Sequence, residues 1–167
     1  METSGTITTT NIFIQPHANL YNLLNNRSNV SDPNDSTGKR KFVYTREPNF
    51  MSRNFAGFPF IIVPDPEYNQ TDLMLSSTKS KTIDEFEVII YGQDKVSDSF
   101  GDPSGRETVA SISSSVLSTV NSNASTLRSY KMKNRKVKNT DFDWGEVDGK
   151  NIFKRIINFS FSQWRSI

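Results

Sequence analysis

Apolar residues recur along this chain at two different spacings, and the switch between them marks out the elements. Around Phe86–Gly92, with a lead-in from Lys81, the period is two: Phe86, Val88 and Ile90 alternate with Ile89 and Tyr91. A strand that is apolar on both faces is central in its sheet, or has its outer face covered by another subunit. Lys41–Arg46 reads as a short strand with Phe42 and Tyr44 on one face, stopped by Pro48. Phe55–Val63 (FAGFPFIIV) reads as a second strong strand, ended by Pro64. Leu73–Lys79 leads through a turn into the central strand, which predicts a hairpin from Leu73 to Tyr91 long enough to project from a small domain. Tyr130–Lys138 alternates loosely as a strand, followed by a polar acidic connection, Asn139–Lys150, with a turn signal at Asp148-Gly149. Asn151–Trp164 closes the chain as a strand, with Phe153, Ile157, Phe159 and Phe161 on one parity, interrupted by Arg155.

Helical spacing appears twice. Leu20, Leu23 and Leu24 predict a short helix over Pro16–Asn25, with Pro16 suited to its first turn. Val109, Ile112, Val116, Leu117 and Val120 give one stripe three to four residues apart. That helix starts near Pro103 or Ser104, with Asp102 or Ser104 as N-cap and Glu107 in the first turn. Its other positions are mostly serine, a middling helix former, so packing must hold it in place. Ala124–Ser129 adds a turn of helix that buries Leu127. Asn25–Lys41 is a long polar loop with no means of packing a core, and Met1–Thr10 reads as a flexible arm. The expectation is one α+β domain over residues 11–167: a mostly antiparallel sheet, two helices packed on one face, and a projecting hairpin.

Composition alters this picture modestly. At 34% hydrophobic residues, and with a mean hydropathy of −0.56, the apolar inventory is thin for a self-contained monomer, although 12 Phe partly compensate. Such a chain suits burial completed against copies or partners. A net charge of +2, from 20 basic and 18 acidic residues, is too balanced for a general nucleic-acid binder. With no Cys, thiolate chemistry, disulfides and Cys-based metal sites are excluded. No signal-like run and no membrane-length apolar stretch occur, so a soluble protein made in the cytoplasm, without a membrane partner, is expected.

Candidate chemistry is sparse. His17, the sole histidine, has no acidic neighbour and reads as a surface or packing residue rather than a base. Asp141, Asp143, Glu146 and Asp148 do not match a calcium-loop spacing and read as a solvated loop. No P-loop, GxGxxG or GxSxG is present, and the serines of 111–118 have no partner base. No enzyme activity, cofactor or metal is expected. The charged feature with shape is the run Arg128, Lys131, Lys133, Arg135, Lys136 and Lys138. Three readings stay open for it: a solvated edge strand guarded by lysines, a face paired with the acidic 141–148 segment of the same or another copy, and a contact with nucleic-acid phosphates.

The order of elements resembles the tail terminator, or tail-completion, family of long-tailed bacteriophages related to phage lambda. The resemblance rests on an N-terminal helix, the strand Lys41–Arg46 and the Phe-Pro-apolar strand Phe58–Val63. It continues through Glu85-Phe86-Glu87-Val88-Ile89-Ile90-Tyr91, the amphipathic helix Val109–Val120, the Tyr-basic strand Tyr130–Lys138, a Trp-bearing connection and the closing strand Ile152–Phe161. It is a likeness of pattern, without a catalytic signature, and the 26–41 loop and Thr-rich arm exceed the family minimum. It implies a virion protein: a homohexameric ring at the head-proximal end of the tail tube. Its partners would be its own copies, the tail tube protein and the head-tail connector or neck protein, with non-specific contact to DNA in the lumen. The alternatives are another neck or tail-tube component and a small nucleic-acid-binding module resting on the basic run.

Overall fold

The computed structural model describes residues 15–64, 71–76, 79–94, 104–129, 132–147 and 149–166. The expected N-terminal arm and Lys131 lie outside the described residues. Helix α1 (Gln15–Asn25) is followed by two short strands, β1 (Val43–Tyr44) and β2 (Phe60–Ile62). A hairpin of β3 (Thr71–Ser76) and β4 (Lys79–Gln93) comes next, then α2 (Gly105–Ser122) and α3 (Ala124–Ser129). A second, longer hairpin ends the chain, β5 (Lys133–Val147) and β6 (Lys150–Ser166). The six strands form one sheet in the order β1-β2-β4-β6-β5, with β3 added to β4. Only β1 and β2 run parallel; every other pair is antiparallel. The protein is an α+β fold.

The β4 strand is the axis of the sheet. Along its whole length it pairs with β6, setting Phe86 opposite Phe159 and Val88 opposite Ile157. On its other edge β3 pairs with the first half and β2 with the second. Phe86, Val88 and Ile90 join Ile157, Phe159 and Phe161 in one core beneath Val109, Ile112, Val116 and Val120 of α2 and Leu20 and Leu24 of α1. Each fully buried side chain of this size contributes on the order of 2 kcal/mol, enough to hold a helix whose remaining surface is serine.

The opposite face is covered too, and by the same chain. Ile89 and Tyr91 pack with Phe60, Ile62, Tyr44 and Ile152 under Phe50, Phe55 and Phe58. Phe60 stacks on Tyr91 with ring centroids 4.9 Å apart, and Phe55 meets Phe60 edge-on at 5.4 Å. The second apolar face of β4 is therefore explained by a loop, 45–59, folded back over the sheet.

Several boundaries differ from the sequence expectation, each for a local reason. The strand expected over 55–63 is reduced to 60–62: Gly57 has a φ of 87°, the Phe58–Pro59 peptide is cis, and the 55–59 aromatics turn onto the sheet face. The strand expected over 41–46 keeps only Val43 and Tyr44, so Phe42 and Tyr44 do not share a face; Phe42 packs on the helix side and Tyr44 on the other. The polar connection expected over 139–150 is strand through Val147, because pairing with β6 overrides its weak strand propensity. Gly149, at φ 72°, makes the turn there. The polar 25–41 loop does contribute to the core: Val30, Asp32 and Arg40 are all buried.

Candidate functional site

The loop between α1 and β1 is a charged strap. The Arg40 guanidinium meets the Asp32 carboxylate at 3.0 Å and donates to the carbonyls of Gly57 and Pro59. Asp35 collects N–H groups from Thr37, Gly38 and Arg40 and the Thr37 hydroxyl, while Arg27 bridges the Asp35 and Arg40 carbonyls. Asn34 donates to the Phe58 carbonyl at 3.0 Å, so the strap fastens the aromatic loop from beneath. Burial pushes the Asp32 carboxyl up, opposed by the Asn34 N–H and Arg40, and burial likewise lowers the Arg40 guanidinium. The Thr37 hydroxyl and the Arg40 N–H hold Asp35 below the usual carboxylate range. This network is structural, joining the strap to the backbone at 57–59. Charges alternating through Arg27, Asp32, Asp35 and Arg40 are the signal in the sequence that marks it, against a background of turn residues.

The start of α2 is also closed by the chain's own groups. Ser104 and Glu107 form a capping box, and Asp94 accepts from Gly105 N at 2.8 Å while Asn151 donates to Asp94. Gly92 and Gly105 allow this approach: a Cβ on Gly92 would lie 2.6 Å from the Val109 side chain and 2.7 Å from the Gly105 carbonyl. His17 is buried, and its Nε2–H donates to the Val63 carbonyl at 2.7 Å, tying α1 to the end of β2. Among the described residues, no group of three His, Cys, Asp or Glu side chains is placed to hold a metal, and no helix is long and apolar enough to cross a membrane.

Two surface regions remain. The first is the free edge of β5, the last strand in the sheet order. Lys133, Arg135, Lys136 and Lys138 occupy its first half, and Arg128 is exposed at the end of α3. The acidic residues Asp141, Asp143 and Glu146 occupy the second half of the same strand. The basic and acidic runs therefore lie end to end on one strand, not on facing strands, so a basic–acidic face between strands of one copy is not formed by them. The β5–β6 register shifts between Lys133 and Lys136 and again between Val137 and Thr140, then runs unbroken to Val147.

The second region is an open cleft of about 750 Å³ at the other end of the sheet, lined by Lys41, Tyr44, Arg46, Glu47, Asn49 and Phe55 among others. Glu47 accepts a 3.0 Å hydrogen bond from the Tyr91 hydroxyl, whose pKa is raised by burial and by that carboxylate. Lys41 lies over the Tyr44 ring at 5.0 Å. This cleft was not legible in the sequence, because it is formed where the aromatic loop folds back beside β1. No family model matches the chain, and no curated protein matches its sequence.

Proposed function

We propose that this chain is a structural assembly protein of a virion, a tail terminator that forms a ring at the head-proximal end of a phage tail tube. The observation that supports it is the closure of both sheet faces by the chain's own residues, which leaves charged strand edges and long hairpins as the surfaces available for contact. A ring is built from a heterologous contact repeated by rotation until it closes. A terminator needs one surface that accepts a tube subunit and another that refuses the next one. Surfaces of this kind do the work without turnover of a small molecule.

The test is assembly of the full-length protein, with and without tail tubes, followed by sedimentation and negative-stain microscopy. One closed ring at one end of each tube is expected. A stack along the tube would assign a tube role instead, and a strict monomer under both conditions would refute the proposal.

The basic half of β5 favours a second reading, contact with nucleic-acid phosphates. It predicts salt-sensitive DNA binding that is lost when Lys133, Arg135 and Lys136 are neutralised. Unchanged binding in that variant would discard it.

A further inference from the structure

The two outer ends of the sheet carry opposite charge, and we propose that they meet between copies: the acidic half of β5 in one copy docks against the cleft beside β1 in the next, head to tail. This inference rests on the ring reading above and names its contact. In the sheet order, β1 and β5 are separated by β2, β4 and β6, four strand spacings or about 19 Å. A surface at one end therefore cannot satisfy the other within the same copy.

The cleft end is basic. Lys41 and Arg46 line it, and Lys39 and Arg53 are exposed close by in sequence. Glu47 is the one acidic residue between positions 39 and 53, and its carboxylate already accepts from Tyr91. The opposite end is acidic where it is regular. Asp143 and Glu146 are exposed on β5, within the Thr140–Val147 stretch whose register against β6 is unbroken. Both register shifts fall in the lysine-bearing half. Bulges and lysines are the devices that discourage strand addition to an edge, so the acidic half is the one left suitable for docking.

A second copy is the occupant that the charges select. The chain is nearly balanced overall, at +2, yet its two ends are unbalanced in opposite senses. Placing two cleft ends together opposes like charges. Placing two β5 edges together requires the shifted, lysine-bearing half to pair. Head-to-tail placement matches cation to carboxylate at every interface and leaves the same pair of surfaces for the next copy.

Charge reversal in the full-length chain tests this by sedimentation velocity at low salt. Arg46→Glu alone and Glu146→Lys alone should each weaken self-association at least tenfold. An equal mixture of the two should recover assembly, because Glu at position 46 then faces Lys at position 146 while the native pair forms at alternate interfaces. Arg46→Gln and Glu146→Gln carry the same test with a smaller loss if a reversal lowers the melting temperature. A ring that none of these changes weakens overturns this contact and leaves the ring reading standing. A two-fold dimer insensitive to Arg46→Glu, or a monomer at the highest soluble concentration, overturns both.

Discussion

Replacing Arg40 by Met keeps the volume of the side chain and removes its charge from the centre of the 26–41 strap. The wild-type guanidinium is 9% exposed and faces an Asp32 carboxylate that is 0% exposed. Arg40→Met leaves that carboxylate buried without its cation and strips the Gly57 and Pro59 carbonyls of a shared donor. Breaking a buried ion pair from one side costs about 3–5 kcal/mol. For a chain of this length each kcal/mol moves Tm by about 2–4 °C, so a fall on the order of 10 °C is expected at pH 7. The loss should shrink at pH 5, because the isolated Asp32 carboxyl, whose pKa burial already raises, escapes the penalty by taking up a proton. The double variant Asp32→Leu with Arg40→Met leaves no buried charge, so its cost should be well below the sum of the two single changes, a coupling of about 2 kcal/mol. Thermal and urea unfolding by circular dichroism measure all three variants. An Arg40→Met loss below about 1 kcal/mol, or strict additivity in the double variant, refutes the view that this pair fastens the strap.

Three further expectations follow from single contacts. Gly92→Ala drives a methyl group into Val109 and the Gly105 carbonyl and should cost about 1–3 kcal/mol, whereas Gly145→Ala, with nothing within 4 Å, should leave Tm unchanged or slightly higher; equal effects would contradict the close approach of α2 to β4. Ser104→Ala removes the cap from α2 and should cost about 1 kcal/mol, read as a lower urea midpoint at unchanged slope. The Asp35 carboxyl titrates below its unfolded value, so its contribution is complete above about pH 4 and is lost as the pH falls toward the lower folded value. Asp35→Asn should accordingly flatten the acid limb of stability against pH, and an unchanged limb would place that dependence elsewhere.

The sheet's axis was legible because β4 carries apolar residues on both parities, a pattern that few other strands of the chain share. The α2 helix was legible from its stripe, its Ser104 cap and Glu107. What occupied the second face of β4 was not: covering it required Phe50, Phe55 and Phe58 to leave an apparent strand and fold over Phe60. Strand periodicity cannot distinguish residues that continue a strand from residues that pack on top of it. The strap was misread for a related reason, since turn-forming composition describes the backbone of 26–41 and says nothing of Asp32 and Arg40 pairing across eight residues. The length of β5 was underestimated because its acidic half has poor strand propensity and depends on β6 for its pairing. Of the basic run, the edge position of Lys133, Arg135, Lys136 and Lys138 follows from that pairing; the cleft at the other end of the sheet depends on loop packing that no local pattern encodes.

Assembly is the property on which the functional account turns, and the mass of the full-length protein incubated with tail tubes measures it most directly. A closed ring seated once per tube, dissociating as salt is raised, is the predicted result. A protein that sediments as a single chain at every salt concentration and binds no tube end would contradict the account.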